Sequence, residues 1–274
     1  MKMQLAEIAQ ALNTSCEGDA ETVITSVAFD SRKISQGALF IPIKGERDGH
    51  DFVGSAIEAG ASATLWEAGN PNKPEGIAVL EVADTLKAMQ DLARYYLQKV
   101  NPTVVSITGS NGKTTTKDMV AAVLAKRFNV YKTQANFNNE IGVPMTILEM
   151  KPITEILVLE MGMDRAGQLH ELSQLARPDV AVITMIGEAH IEFFGSRDKI
   201  ADAKMESRTF CKKTANLSTT VMNPSWRKEP QSFPRTSPPS VSRTLTAFMP
   251  VTSAAPCTIP SSRLTGLTGN SQFQ

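Results

Sequence analysis

The chain has 274 residues, of which 42% are hydrophobic and 20% charged, and its 28 basic side chains balance its 28 acidic ones. This length suits one or two domains with a buried core, and the balanced charge does not indicate a nucleic-acid partner. Cys16, Cys211 and Cys257 show neither zinc nor redox spacing, which favours the reducing cytoplasm. No apolar run is long enough to cross a bilayer, and the N-terminus lacks the pattern of a signal peptide.

Residues 1–100 combine helical periods with short apolar runs. A first helix is predicted to end near Asn13, and a long one is predicted over 84–100, where apolar residues recur at helical spacing. A further helix is predicted over 50–61, and strands at 23–30, 38–43, 63–68 and 77–82. Asn101-Pro102 is typical of a hinge, so residues 1–100 are predicted to form a first domain.

From Thr103 onward, apolar strands alternate with helices. Strands are predicted at 104–108, 129–133, 155–161 and 180–186, and helices at 115–128, 166–176 and 198–206. This order predicts an α/β fold with a mostly parallel sheet and helices on both faces. Ligands bind at the carboxyl ends of the strands in such sheets. Thr108, Glu160 and Ile186 lie at those ends.

The stretch SITGSNGKTTTKD (106–118) joins a predicted strand to a predicted helix. A glycine turn before a helix favours phosphate binding, because backbone N–H groups and the helix N-terminus face the anion. Lys113 would reach the outer phosphates, and the Thr114 hydroxyl would bind Mg²⁺. The usual loop has a glycine where this chain has Ile107. A plain strand–helix connection with an exposed lysine is the alternative.

The loop TGSNGKTT (108–115) resembles the ATP loop of the Mur ligases and of the folylpolyglutamate synthases. TQANFNNEIGVPMTIL (133–148), VLEMGMDRAGQL (158–169) and IGEAHIEFFGSRDKIADAKME (186–206) are similar to Mur ligases that add D-alanyl-D-alanine to UDP-N-acetylmuramoyl-tripeptide. DSR at 30–32, with DGHDF at 48–52, resembles their UDP-substrate domain. The resemblance covers residues 1–206. It implies a UDP-muramoyl-peptide-binding domain (1–100) followed by an incomplete P-loop-type ATP domain (101–206).

The resemblance implies a role for each residue that matches a family motif. The implied ATP contacts are Gly109, Ser110, Asn111, Gly112, Lys113, Thr114, Thr115, Asn138 and Asn139. The implied Mg²⁺ ligands are Thr114, Glu160, His190 and Lys204, with Lys204 carbamylated. The implied UDP-sugar contacts are Ser31, Arg32, Gly45, Asp48 and His50.

The family reaction implies catalytic roles for Lys113, Lys204 and His190. The tripeptide carboxylate attacks ATP to give an acyl phosphate, which the amine of D-alanyl-D-alanine then attacks. Two anions approach each other in the first step, so cationic groups and Mg²⁺ are needed. The resemblance also implies a cytoplasmic protein, monomeric when intact, without nucleic acid or membrane insertion. Whether the third peptide residue is lysine or diaminopimelate stays open.

Each implied site residue also has a structural interpretation. Glu160 could form a cap or an ion pair, His190 could pack, and Lys204 could be a solvated helix position. The asparagines could form an ordinary loop, and Ser31-Arg32 could cap a turn. The functional alternatives are a Mur ligase that adds the third amino acid, a folylpolyglutamate synthase, and a non-catalytic nucleotide- or UDP-sugar-binding fragment.

Residues 207–274 differ in composition from the rest of the chain. They are rich in serine, threonine and proline, carry eight basic residues and one acidic residue, and show no helical or strand period. We expect this tail not to pack. The abrupt change after Glu206 predicts an out-of-frame translation without the family's third domain, and hence no ligase activity. A native disordered tail is the alternative. RNA binding is disfavoured, because aromatic interleaving is missing.

Overall fold

The computed structural model describes residues 1–212 and the backbone of 216–219. In residues 1–102 the α-helices are α1 (Leu5–Leu12), α2 (Val53–Glu58) and α3 (Thr85–Val100). The strands there are β1 (Met3–Gln4), β2 (Cys16–Glu17), β3 (Val23–Ile24), β4 (Ser26–Ala28), β5 (Ala38–Phe40), β6 (Ala61–Glu67) and β7 (Ala78–Val82). Single 3₁₀ turns occupy Ser31–Lys33 and Gly49–Phe52.

Strands β4, β5, β6 and β7 form a parallel sheet, with β2 antiparallel at its edge beside β7. β1 and β3 form a separate antiparallel pair. The prediction of a single strand over 23–30 is wrong, because the chain forms two strands there, β3 and β4, which belong to different sheets. At Thr25 the backbone N–H donates to the carbonyl of Gly37 at 3.0 Å, so the chain leaves one sheet and enters the other.

The long helix predicted over 84–100 is confirmed as α3. A carboxylate oxygen of Asp84 accepts the backbone N–H of Lys87 at 2.7 Å and caps the N-terminus. Asn101 ends the helix in the left-handed conformation. The buried residues recur at helical spacing and form one face, which comprises Thr85, Ala88, Met89, Leu92, Ala93, Tyr96 and Leu97.

The helix predicted over 50–61 is shorter than expected. Its first turn is a 3₁₀ turn, because Asp48 accepts the backbone N–H of His50 at 3.0 Å and tightens the chain. The α-helical part covers only α2, and the chain then turns at Gly60, whose φ is 104°.

The second sheet belongs to the chain after Asn101. Its strands are β8 (Thr103–Thr108), β9 (Val130–Lys132), β10 (Ile156–Glu160), β11 (Val180–Ile183) and β12 (Asn216–Thr219). The helices are α4 (Lys113–Leu124), α5 (Gly142–Glu149), α6 (Gln168–Ala176), α7 (Ile191–Phe194) and α8 (Arg197–Met205), followed by a 3₁₀ turn at Glu206–Arg208. The sheet order is β12-β11-β8-β10-β9, and every pair is parallel. The predicted α/β fold with a parallel sheet is confirmed.

The register of this sheet sets the position of the candidate site. Glu160 at the end of β10 pairs with Ile107 of β8, and Ile183 at the end of β11 pairs with Thr108. The three central strands therefore end at the same level. The segments that follow them meet at one edge of the sheet, as the sequence predicts.

Helix α5 was not predicted. Residues 142–148 are all buried, so the alternation of buried and exposed positions that marks an amphipathic helix is missing. α5 packs against α3, and the hydroxyl of Tyr96 donates to the carbonyl of Met150 at 3.0 Å. The apolar core is continuous across Asn101. The division into domains at residue 100 stays a prediction.

The chain packs for a few residues beyond Glu206. Ser207 is buried, its hydroxyl donates to the carbonyl of Lys204 at 2.8 Å, and β12 pairs in parallel with β11. The expectation that residues from Ser207 onward do not pack is therefore wrong for Ser207, whereas only the backbone pairing is described for β12. The remainder of that expectation concerns 213–215 and 220–274, which lie outside the described residues. Within the part that is described, the helices are too short or too polar to span a membrane.

Candidate functional site

The loop between β8 and α4 depends on two glycines. Gly109 has φ 148° and Gly112 has φ 81°, conformations that residues with a side chain rarely adopt. A Cβ atom at Gly109 would also overlap the Oγ1 atom of Thr184. The loop therefore passes directly over the segment that follows β11, and a larger residue at Gly109 would displace it.

Hydrogen bonds from the neighbouring segment fix the loop. The hydroxyl of Thr184 lies 2.6 Å from the carbonyl of Asn111 and 3.2 Å from that of Thr108. The backbone N–H of Ser110 donates to the carbonyl of Met185 at 2.7 Å, and its hydroxyl accepts the N–H of Gly187 at 2.9 Å. Thr184 was not among the predicted site residues, because a single threonine after a strand carries no motif.

Lys113 begins α4 and folds back over the loop. Its Nζ atom donates to the carbonyl of Gly109 at 2.8 Å, so the ammonium group spans the turn. Thr114 and Thr115 are exposed in the first turn of the same helix. The arrangement places a cation, two hydroxyl side chains and a helix N-terminus at the carboxyl edge of the sheet. Such an arrangement suits a phosphate group.

Glu160 is buried at the end of β10, beside this loop. Its backbone N–H donates to the Thr133 hydroxyl at 3.0 Å, and its Oε1 atom accepts Nδ2 of Asn138 at 3.1 Å. Its Oε2 atom has no hydrogen-bond partner among the described residues. An unpartnered, buried carboxylate oxygen is a suitable ligand for Mg²⁺, which prefers hard oxygen donors. Glu160 thus fits the metal that the sequence resemblance implies.

Lys117 was missed by the sequence analysis, although it lies one helical turn after Lys113. Its side chain is almost completely buried, and its Nζ atom lies 3.7 Å from Oε2 of Glu160. A lysine four residues after a loop lysine falls on the same helix face, which is the pattern that could have identified it. The ion-pair interpretation of Glu160 is therefore also present in the structure.

Lys204 is buried in α8 and lies near Lys113. Burial, and then the charge of Lys113, lower the pKa of Lys204 from 10.5 to about 8. The interpretation of Lys204 as a solvated helix position is wrong, because only 2% of the residue is exposed. An amine with this pKa is partly unprotonated near neutral pH, which is the form that reacts with CO₂.

His190 is exposed and precedes α7 with φ 63°. Its ring lies 6.3 Å from that of Phe193, and no hydrogen bond or ion pair joins it to Glu160 in residues 1–212. No three His, Cys, Asp or Glu side chains of the described chain group around a common point. The structure therefore supports Glu160 as a ligand more directly than His190, whose metal role stays a prediction.

The loop before α5 contains Asn138 and Asn139, whose side chains have different hydrogen-bond partners. Asn138 orients Glu160, as described above, whereas Asn139 Oδ1 accepts the backbone N–H groups of Gly142 at 2.9 Å and Ile141 at 3.3 Å. Asn139 therefore holds the start of α5, which is the structural interpretation of this loop. Its predicted contact with the nucleotide stays a prediction.

Phe137 connects this loop to the first part of the chain. Its ring centroid lies 6.3 Å from that of Phe29, and the Lys33 ammonium lies 5.9 Å from it. Phe29 and Lys33 flank the Asp30-Ser31-Arg32 motif. The predicted UDP-sugar motif and the predicted metal ligand are thus joined through two consecutive residues, Phe137 and Asn138.

The Asp30-Ser31-Arg32 motif is a closed turn. Asp30 accepts the backbone N–H of Arg32 at 3.1 Å and its guanidinium at 2.8 and 2.9 Å. These hydrogen bonds, those of the guanidinium first, hold the pKa of Asp30 below its usual range. The Arg32 side chain is 87% exposed, so it is held in position with its outer surface free for an anion. Ser31 is half-buried within the same turn.

His50 is buried and has both ring nitrogens engaged. Nδ1 lies 2.5 Å from Oδ1 of Asp48, and Nε2 accepts the backbone N–H of Glu67 at 3.3 Å. Its ring packs edge-on against Trp66. His50 therefore fixes the segment that contains Asp48 and the exposed turn at Gly45, and it does not present a free ring nitrogen.

Comparison with known proteins gives two family matches. The Mur ligase family catalytic domain matches residues 23–97, and the Mur ligase middle domain matches residues 107–234. Curated relatives are UDP-N-acetylmuramoyl-tripeptide–D-alanyl-D-alanine ligases. The protein of Bacillus subtilis is 57% identical over 68% of this chain and 41% of its own length, and that of Escherichia coli is 38% identical over 75% and 45%. The chain therefore spans less than half the length of these relatives.

Two solved structures support the same fold. MurF from Acinetobacter baumannii superposes with a TM-score of 0.73 at 34% identity, over 79% of this chain and 49% of its own. MurF ligase from Thermotoga maritima, solved in complex with ADP, superposes with a TM-score of 0.67 at 39% identity, over 74% and 47%.

Proposed function

The chain belongs to the Mur ligase family, whose N-terminal and middle domains it carries, and we propose on that premise that its sites serve ATP-dependent ligation. The reaction is the addition of D-alanyl-D-alanine to UDP-N-acetylmuramoyl-tripeptide in peptidoglycan precursor synthesis. The described residues form the parts that bind nucleotide and UDP-sugar. The curated relatives named for this reaction support the choice of substrates.

The observation that carries this proposal is the geometry around Glu160. Its unpartnered oxygen lies at the same sheet edge as the loop of Gly109 and the ammonium of Lys113. An enzyme that uses a nucleoside triphosphate with a divalent cation needs a phosphate-binding loop and, beside it, a carboxylate that can hold the cation. The solved ADP complex of a relative supports ATP as the nucleotide.

The tripeptide carboxylate attacks the terminal phosphate of ATP and releases ADP, forming an acyl phosphate. The amine of D-alanyl-D-alanine then attacks the acyl carbon, and inorganic phosphate leaves. Lys113 leaves the Gly109 carbonyl and contacts the transferring phosphate, where its charge offsets the charge of the two approaching anions. Glu160 and Thr114 would hold Mg²⁺, which would supply positive charge beside the phosphate oxygens.

The remaining groups orient the substrates. Lys204 is buried close to Lys113, and its depressed pKa favours the carbamate form that the family resemblance implies. Arg32, held by Asp30, contacts the anionic part of the UDP-sugar. Asp48 and the Gly45 turn, fixed by His50, complete that site. We further propose a monomeric cytoplasmic protein.

A binding and turnover experiment tests the proposal. Calorimetry measures the binding of UDP-N-acetylmuramoyl-tripeptide to the chain and to Arg32→Ala, and a phosphate-release assay contains ATP, Mg²⁺ and both substrates. We expect the chain to bind UDP-N-acetylmuramoyl-tripeptide at least about tenfold more tightly than Arg32→Ala does. The guanidinium of Arg32, which two hydrogen bonds to Asp30 hold in place, would donate a charge-assisted hydrogen bond to this ligand. Binding without phosphate release would agree with the expectation from the sequence that this chain has no ligase activity, and phosphate release would overturn that expectation. No binding of the tripeptide would overturn the substrate assignment.

A further inference from the structure

Lys117 is a buried lysine that the proposed reaction does not use. Its Nζ atom lies 3.7 Å from Oε2 of Glu160 and 3.7 Å from Oδ1 of Asp118. Both distances exceed those of a hydrogen bond. Asp118 is half-exposed, and its carboxylate accepts Lys132 at 2.6 Å. The buried counter-charge of Lys117 is therefore Glu160.

Glu160 in turn depends on Lys117. A buried carboxylate is costly unless its charge is offset, and one of its two oxygens has no hydrogen-bond partner in residues 1–212. That oxygen is the atom that faces Lys117. Asn138 holds the other oxygen with a neutral amide, which contributes no charge. Lys117 is thus the cation that offsets Glu160 while no metal ion is bound.

The same charge opposes a free metal ion. Lys117 lies 3.7 Å from Oε2 of Glu160, and Lys113 begins the same helix, α4, one turn earlier. The free oxygen of Glu160 therefore faces an ammonium group, that of Lys117. A divalent cation that approached alone would be repelled, whereas one that arrived with phosphate groups would bring compensating negative charge.

We propose that Lys117 is a positioning residue that takes the place of Mg²⁺ beside Glu160 and delays metal binding until nucleotide phosphates are present. The proposal rests on the proposed nucleotide site and adds a residue and an order of binding to it. The ammonium keeps the Oε2 atom of Glu160 in place in the metal-free chain. Metal that arrives bound to a nucleotide would then bind the Glu160 carboxylate, whose orientation is already fixed.

Urea unfolding of the full chain tests this with Mg²⁺ alone as the probe. Lys117→Met keeps most of the length of the side chain and removes its charge. In chelator we expect the folding equilibrium constant to fall at least about tenfold, because a buried ion pair has lost one partner. Millimolar Mg²⁺ restores most of the loss in Lys117→Met and changes the unsubstituted chain little, because only the variant has an unopposed carboxylate.

Three further variants control the interpretation. Lys126→Met removes an exposed lysine just after α4 and leaves both measurements unchanged. Lys117→Arg retains the charge and the weak Mg²⁺ response. Lys117→Met combined with Glu160→Gln removes both charges, so it regains stability in chelator and loses the Mg²⁺ response.

Three results of the unfolding measurements would overturn the proposal. An equal loss of stability in chelator and in Mg²⁺ would show an ordinary structural ion pair and overturn the proposal, as would no loss at all. A Lys117→Met chain that stays unfolded in Mg²⁺ while the double variant folds would also overturn it. The measurement contains no nucleotide, so failure of the proposed ATP site would appear separately, as absent ADP binding.

Discussion

The side-chain amide of Asn138 donates to Oε1 of Glu160 at 3.1 Å, while the backbone carbonyl of Asn138 accepts the N–H of Gly162 at 2.8 Å. Gly162 leaves little room here, because a Cβ atom on it would lie 3.0 Å from the Asn138 side chain. Asn138 is therefore held from both sides. It fixes one carboxylate oxygen and leaves the other free for a cation.

We expect Asn138→Ala to weaken binding of Mg²⁺·ADP about tenfold or more, because groups that orient a metal ligand contribute that much to affinity. Binding of ADP in chelator should change little, since the loop of Gly109 is intact. Calorimetry with and without Mg²⁺ separates the two effects. Asn136→Ala, at an exposed position of the same loop, is the control. Equal Mg²⁺·ADP affinity in the Asn138 variant and the unsubstituted chain would refute this role.

Thr184 is expected to stabilise the loop between β8 and α4 through its hydroxyl. Thr184→Val removes the hydrogen bonds to the carbonyls of Thr108 and Asn111, so we expect a loss of about 1–2 kcal/mol in the free energy of unfolding. ADP binding should weaken as well, because the loop is less well held. Thr184→Ser retains the hydroxyl and should behave like the unsubstituted chain. Denaturant unfolding and calorimetry check both effects, and a Val variant as stable as the Ser variant would argue against them.

Phe137 is expected to link the two proposed binding sites. Its ring contacts Phe29 and Lys33, and the next residue orients Glu160. If UDP-N-acetylmuramoyl-tripeptide and Mg²⁺·ADP change each other's affinity, linkage requires the factor to be the same in both directions. Phe137→Ala should bring that factor close to one and leave each single affinity within about threefold.

The control for Phe137 is Phe128→Ala, which removes a ring beside Arg127 rather than beside the substrate motif. Calorimetric titration of each ligand into chain saturated with the other gives the coupling factor. A factor that survives in Phe137→Ala would show that the contact packs the two parts together without linking their ligands.

The elements around the site show what the sequence could reveal. β8, β10 and β11 are apolar runs bounded by turns, so their parallel arrangement and the meeting of their ends were predictable. Helix α5 was not, because it is buried on all sides and shows no period. Lys117 and Thr184 were missed for another reason. Their importance lies in contacts with Glu160 and the glycine loop, which are distant in sequence and become visible only in the folded chain.

Lys204 is expected to make stability depend on pH. Its pKa is about 8 in the folded chain against 10.5 for an ordinary lysine, so the folded chain binds fewer protons than the unfolded one between those values. The free energy of unfolding should therefore rise from pH 8 towards pH 10.5, by an amount on the order of 2–3 kcal/mol. Lys204→Met should remove this rise. Lys199→Met, at an exposed position of α8, should retain it. Denaturant unfolding across this pH range measures the free energy of unfolding of each variant. The same pH dependence in both variants would contradict the assignment of the rise to Lys204.

ADP binding with and without Lys113 tests the central claim most directly, that the glycine loop at the carboxyl edge of the parallel sheet is a nucleotide site. Calorimetry compares the 274-residue chain with Lys113→Ala in the presence of Mg²⁺, and with Lys126→Ala as a matched lysine outside the site. We predict that the chain and Lys126→Ala bind ADP equally and that Lys113→Ala binds at least about tenfold more weakly, because it lacks the ammonium that contacts phosphate. Equal binding by all three, or none by the unsubstituted chain, would contradict the claim.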